Sequence, residues 1–284
     1  MTHESQAREA LPVRRRVPLP GGRHRRARVS DLPPDRPALV LAVPGAAGDA
    51  EAGVSAEIAT LTRSAFPHAD VRLGHLEGTE TTIVDALADL AAGGSARTPA
   101  AVVVPLVTGP HPQMDRLIRE AIAETGAFAV LTEPLGPHPA LAEALHVRLA
   151  ASGLARADRI RLLGIATGAE GVIVATVGGE SAARAADVTT VLLASRLAVP
   201  VVSASLDGAP GIDDAARRLR EAGVGRLAIS PCVIGPEVDS QRLETAATEA
   251  AAECAAPLGA YPGLVRLVAV RYEIALEDLG LGSG

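Results

Sequence analysis

A chain of 284 residues has room for one large domain or two of ordinary size; with 48% hydrophobic but only 1% aromatic residues, its core must be Ala, Val and Leu. The net charge is -6 and basic residues crowd only the N-terminus, which argues against nucleic-acid binding; no apolar run reaches the roughly eighteen residues that span a bilayer. Every fixed cation is Arg, which excludes a Walker Lys and a Lys Schiff base, and Cys232 and Cys254 have neither disulfide-framework nor metal-type spacing.

Residues 1–37 read as an Arg/Pro-rich disordered tail, with Arg14, Arg15, Arg16, Arg23, Arg25 and Arg26 among its cations. The tail lacks the apolar stretch of a secretory signal, so a soluble cytoplasmic protein is expected. Leu39–Val43 is a buried strand, followed by a Pro44–Asp49 loop and a helical pattern over about 50–64. A second strand, Asp70–Glu77, leads to a helix over 79–92. A third strand, Ala100–Val107, leads to a helix over 112–125. A fourth, Phe128–Thr132, leads to a helix over 139–151. Strands alternating with helices at this spacing predict an α/β fold built on a parallel sheet.

The second half repeats the first. Val172–Val177 answers Leu39–Val43, Val201–Gly208 answers Val71–Gly78, Ser230–Glu237 answers Val104–His111, and Pro257–Pro262 answers Pro134–Pro139. The matches arrive in order, with offsets shrinking from 133 to 123. This predicts a tandem duplication of flavodoxin-like lobes, 38–153 and 165–278, each a parallel sheet flanked by helices, with a cleft between. The repeat is chemically asymmetric. His111 becomes Glu237, Glu77 becomes Asp207, His75 becomes Ser205 and His138 becomes Tyr261. Imidazole chemistry, if present, belongs to the first lobe.

The sequence around Val104-Pro105-Leu106-Val107-Thr108-Gly109-Pro110-His111 is the most informative. Loops at the carboxyl ends of strands in open α/β sheets collect ligand groups. A neutral imidazole at His111 can ligate a metal or accept a proton, but a loop histidine can equally be plain surface. On the second strand, His75 and Glu77 share a face near the strand end. Two imidazoles and a carboxylate suit Fe, Co, Ni or Zn. His75 as a core histidine and Glu77 as a capping carboxylate are the structural alternatives. There is no G-x-S-x-G elbow, no G-x-G-x-x-G turn, and the prolines of Gly109-Pro110-His111-Pro112 remove the donors a phosphate cradle needs.

The strand end Leu76-Glu77, the Gly109…His111…Asp115 loop and the stretch Pro134-Leu135-Gly136-Pro137-His138-Pro139 together resemble the class II chelatases of the sirohydrochlorin chelatase type. The resemblance covers about residues 38–275 as two repeats. It implies insertion of Co²⁺ or Fe²⁺, as substrate, into a tetrapyrrole on the route to cobalamin or sirohaem, without ATP or an organic cofactor. It implies that His111 holds the metal and accepts pyrrole protons, and that Glu77 is the associated carboxylate. The chain departs from the family at the first motif histidine, which sits in a Gly-His-Gly-Ser turn; here the turn reads Val43-Pro44-Gly45-Ala46. Either His75 supplies the missing imidazole, or the chain is a catalytically degenerate homologue that binds a tetrapyrrole or a metal. A purely structural partner subunit is a third reading. The expected partner is a tetrapyrrole small molecule, with no nucleic acid and no membrane, and the chain is expected to be a monomer or homodimer.

Overall fold

The computed structural model describes residues 36–47, 52–91, 98–155 and 168–281. The first lobe runs β1 (Ala38–Ala46), α1 (Ala52–Ala65), β2 (Val71–Glu77), α2 (Ile83–Ala91), β3 (Ala101–Pro105), α3 (Pro112–Thr125), β4 (Ala129–Leu131) and α4 (Pro139–Ala151). The second runs β5 (Gly171–Thr176), α5 (Gly179–Ala185), α6 (Asp187–Leu197), β6 (Val201–Ser205), α7 (Ile212–Glu221), β7 (Leu227–Pro231), α8 (Ser240–Glu249), β8 (Glu253–Cys254) and α9 (Pro262–Asp278). Both lobes hold a four-stranded parallel sheet, ordered β2-β1-β3-β4 and β6-β5-β7-β8. The expected α/β duplication is the observed architecture.

Strand pairing carries the repeat down to single residues. Val43 lies opposite His75 in the first sheet, and Thr176 opposite Ser205 in the second. Leu39 lies opposite Val102, and Val172 opposite Ala228. The correspondences read from sequence, His75 with Ser205 and Val104 with Ser230, therefore hold in register.

Alternation along the strands builds three layers of core. Leu39, Leu41 and Val43 face one way, and Val40 and Ala42 the other. The first set joins Val172, Val174, Cys232 and Ile234 in one cluster that spans both lobes. The second set packs with Ile83 and Leu87 of α2 and Met114 and Ile118 of α3. Ile173 and Ala175 do the same with Ala215 and Leu219 of α7. The inter-lobe contacts are reciprocal: α4 packs on α6 and α1 on α9. Thus the helix after each lobe's first strand meets the helix after the other lobe's fourth. Tyr272 of α9, fully buried, donates its hydroxyl to the Pro37 carbonyl at 2.6 Å and meets Phe66 edge-on. Pro37 is therefore anchored by the second lobe, although it closes the stretch expected to be a tail; residues 1–35 lie outside the described residues.

Two element boundaries differ most from the sequence reading, each for a local reason. β1 continues to Ala46 through a register shift between Val43 and Ala46, so Pro44 and Gly45 form a bulge rather than a loop. A bulge is where a residue without an N–H fits in a strand. Helix α2 starts at Ile83 rather than near Thr79, because Thr82 and Asp85 cap it: Asp85 N donates to Thr82 Oγ1 at 3.1 Å and Thr82 N to Asp85 Oδ2 at 3.3 Å.

Candidate functional site at the mouth of the first lobe

Two of the first-lobe strands, β2 and β3, lead to the expected site residues at their carboxyl ends. Glu77, the last residue of β2, is exposed and pairs in register with Ala46, just past the Pro44 bulge. His111 follows β3 and is the N-cap of α3. Its Nδ1 accepts the Met114 N–H at 3.3 Å, at the long end for such a bond. In the neutral ring this leaves the proton on Nε2. To ligate a metal or take a proton, the ring must release that weak cap or change tautomer. Half-buried Asp115, one turn along, is raised above the usual carboxylate range by burial; Arg119 and His111 oppose this and Glu133 adds to it.

His75 sits on β2 on the face that Val71 and Leu73 turn to the shared core, and is only 3% exposed. Its backbone N–H donates to the Thr81 carbonyl at 2.9 Å. The opposite face of the strand is closed: a side chain at Gly74 would come within 2.7 Å of the Ile83 backbone. So β2 carries the expected pair on one face at different depths, with His75 inside and Glu77 in solvent. Among the described residues, no three His, Cys, Asp or Glu side chains form a group that could hold a metal ion. Residues 48–51, which follow the Pro44 turn and include Asp49, lie outside the described residues.

The equivalent mouth of the second lobe is occupied by its own side chains. Asp207, the counterpart of Glu77, accepts from Gly178 N and Gly179 N, each at 2.9 Å, and from Ser205 Oγ at 2.6 Å. Partial burial raises its carboxyl, but the Ser205, Gly178 and Gly179 bonds outweigh that and hold it below the usual range. Glu237, the counterpart of His111, accepts from Ile234 N at 2.9 Å and Gly235 N at 2.7 Å. Burial pushes its carboxyl up to about 7, against the pull of those two N–H groups. Asp207 is spent on the backbone donors of the turn after β5, and Glu237 on those of its own loop.

The His111 loop is also held from beneath. Leu135 N donates to Val107 O, and a side chain at Gly136 would lie 2.3 Å from Thr108 O, so Gly136 lets the chain pass directly under the loop. Thr108 Oγ1 in turn donates to the Cys232 carbonyl across the lobe boundary. This explains the Pro-Leu-Gly stretch, which the sequence marks as a repeat but whose role is a long-range contact. His138, in the same stretch, is a structural cap whose Nδ1 accepts the Ala140 N–H at 3.1 Å. A shallow depression of about 520 Å³ runs along α3 from Pro112 past Asp115, Arg116 and Arg119 to Ala123. It brings two guanidinium groups to the same helix that His111 caps.

The CbiX family model matches residues 38–152. A search of curated proteins finds no match. Among solved structures, SirB from Bacillus subtilis with Fe³⁺ aligns with a TM-score of 0.64 at 16% identity, over 86% of this chain and 98% of that one. The sirohydrochlorin chelatase SirB from Bacillus subtilis subspecies spizizenii, in complex with cobalt, aligns with a TM-score of 0.58 at 13% identity, over 85% and 96%. At these identities the likeness is one of fold, and it spans both lobes. The CbiX family model thus covers the first lobe, and the likeness to the solved structures is one of fold over both lobes.

Proposed function

We propose that the protein is a metal chelatase of the sirohydrochlorin type, with the first lobe as its working site. The observation that carries this reading is the placement of His111. In the lobe that the CbiX family model matches, an imidazole with a weak, replaceable cap stands at the carboxyl end of the sheet, one strand removed from β2, which ends in exposed Glu77. Putting a divalent ion into a tetrapyrrole releases two pyrrole protons, so the site needs a base near neutrality and a charge to balance the incoming cation. His111 supplies the base and Glu77 the charge. An ion that is cargo must arrive and leave, and an incomplete protein ligand set leaves coordination positions open for the macrocycle. Arg116 and Arg119 offer partners for the carboxylates on the rim of such a substrate.

The test is to mix the protein with sirohydrochlorin and Co²⁺ or Fe²⁺ and follow the absorption spectrum. Insertion faster than the uncatalysed reaction supports the proposal. A second reading rests on one feature: Pro44 stands where the family's first histidine is found, and a proline neither ligates nor takes a proton. On that reading the protein binds a tetrapyrrole or a metal without turnover, and the spectrum shifts on binding with no gain in insertion rate. His75 is the in-chain candidate to replace the lost imidazole. If it does so, His75→Ala weakens Co²⁺ binding as much as His111→Ala. A His75→Ala variant that folds and binds Co²⁺ normally rejects that role.

A further inference from the structure

The residue immediately before His111 is in contact with the second lobe. Gly178, which opens α5 at φ 114°, lies so close to the Pro110 carbonyl that a side-chain carbon there would sit 2.3 Å from Pro110 O. Gly109 faces the same helix, with Ala182 at 3.7 Å from where its side chain would begin. The turn that makes this contact is braced by Asp207, which accepts both of its N–H groups and the Ser205 hydroxyl. Gly208 packs on the turn in the same way, since a side chain there would lie 2.9 Å from Gly179 Cα. The His111 loop is therefore gripped between Gly136 of its own lobe and Gly178 of the other.

We propose that the Gly178-Gly179 turn, braced by Asp207, is a positioning element for His111, so that the second lobe sets the geometry of the first lobe's imidazole. The proposal rests on His111 being the working base. Asp207 is a positioning residue: it acts through the turn and the Pro110 carbonyl. A reacting group misplaced by about 1 Å loses up to about a hundredfold in rate, and a shifted Pro110 carbonyl displaces His111 on that scale. The ring's own tether, the bond from Met114 N at 3.3 Å, is too weak to restore it.

The experiment uses the full chain and the variants Asp207→Ala, Asp207→Asn and Gly178→Ala, with His111→Ala to assign the His111 ring signals by NMR. Two readouts are taken: the His111 ring shifts and their pH titration, and kcat and KM for Co²⁺ insertion into sirohydrochlorin. Asp207→Ala should move the ring signals and lower kcat about tenfold with KM within about twofold. Asp207→Asn, which keeps one acceptor oxygen, should recover most of the loss, and Gly178→Ala should exceed it. If Asp207→Ala and every folded Gly178→Ala sample leave the His111 signals and titration as in the parent, the proposal is wrong. If the parent itself inserts no metal, the chelatase reading fails, while the ring signals still decide whether the turn positions His111.

Discussion

The two lobes place polar groups at the same strand ends and use them in opposite ways. In the second lobe Asp207 accepts the N–H groups of the turn after β5 and Glu237 those of its own loop, with two short bonds each to the backbone. In the first lobe Glu77 is exposed and His111 holds one backbone N–H at 3.3 Å. A carboxylate that satisfies backbone donors is stabilised where it is and is costly to recruit for anything else. On the proposed reading, the duplication separates two demands: one lobe keeps its mouth open for chemistry, and the other closes its own and serves as scaffold. The contact of Gly178 with the Pro110 carbonyl shows that this scaffold bears directly on the open site.

The sharpest way to break the comparison is to remove the two counterpart side chains in turn. His111→Ala should lower insertion by about 10²–10⁴-fold, the range for losing a general base. Glu237→Ala should leave insertion nearly unchanged and appear instead as lost stability of about 1–3 kcal/mol, because two buried N–H groups lose their acceptor. Steady-state rates and chemical denaturation measure both. Equal losses of activity in the two variants would show that the lobes do not divide the work.

The dependence of each lobe on the other comes next. Tyr272 is fully buried and bridges α9 to Pro37 at the start of β1. Tyr272→Ala should cost about 3–5 kcal/mol through the cavity and the lost bond, whereas Tyr272→Phe should cost about 1 kcal/mol. A single unfolding transition that moves as a whole in both variants is expected. Two transitions, of which only one shifts, would show that the lobes unfold independently.

The asymmetry can also be sharpened by adding an imidazole at the first-lobe bulge. Pro44→His should raise Co²⁺ affinity or insertion rate about tenfold, since it adds one ligand next to His111 and Glu77. Val177→His, at the corresponding place in the second lobe, should do nothing, because the acids beside it are already bonded. Titration with Co²⁺ followed by absorption distinguishes the two. A gain at Val177 and none at Pro44 would reverse the assignment of the lobes.

Much of this architecture is legible in the sequence because it follows from local alternation. Period-two apolar runs and the spacing of Gly and Pro give the strands, their order and even the register of the repeat, as Val43 opposite His75 and Thr176 opposite Ser205 show. The face of β2 that carries His75 follows from parity alone. Its depth does not, since the 3% exposure depends on how the elements pack together. The continuation of β1 past Pro44 depends on pairing with Glu77, thirty-odd residues away, and a proline otherwise reads as a stop. The second lobe's division of one helix into α5 and α6, and the two-residue length of β8, leave no periodic mark. The closure of the second mouth is hidden for a different reason. The sequence shows Asp207 and Glu237 only as counterparts of Glu77 and His111, and their N–H partners follow from loop geometry.

The smallest expected effect distinguishes the lobes by pH. Burial holds the Glu237 carboxyl at about 7, above the ordinary value near 4.5, while its neighbour Cys232 has a thiol pushed by burial to about 12 and stays protonated throughout. Between about pH 4.5 and 7 the folded chain therefore binds more protons at Glu237 than the unfolded chain does. Stability from this group is fully present below about pH 4.5, declines as the pH rises through 7, and is flat above it. Glu237→Gln keeps one acceptor oxygen and cannot ionise, so it removes this dependence while preserving the loop. Thermal unfolding at pH 5 and pH 8 should show the parent losing a few °C more than the variant between the two. If Glu237→Gln and the parent shift alike between the two pH values, Glu237 is ionised in the folded chain at both, and the second mouth is held closed by a charge rather than by a buried acid.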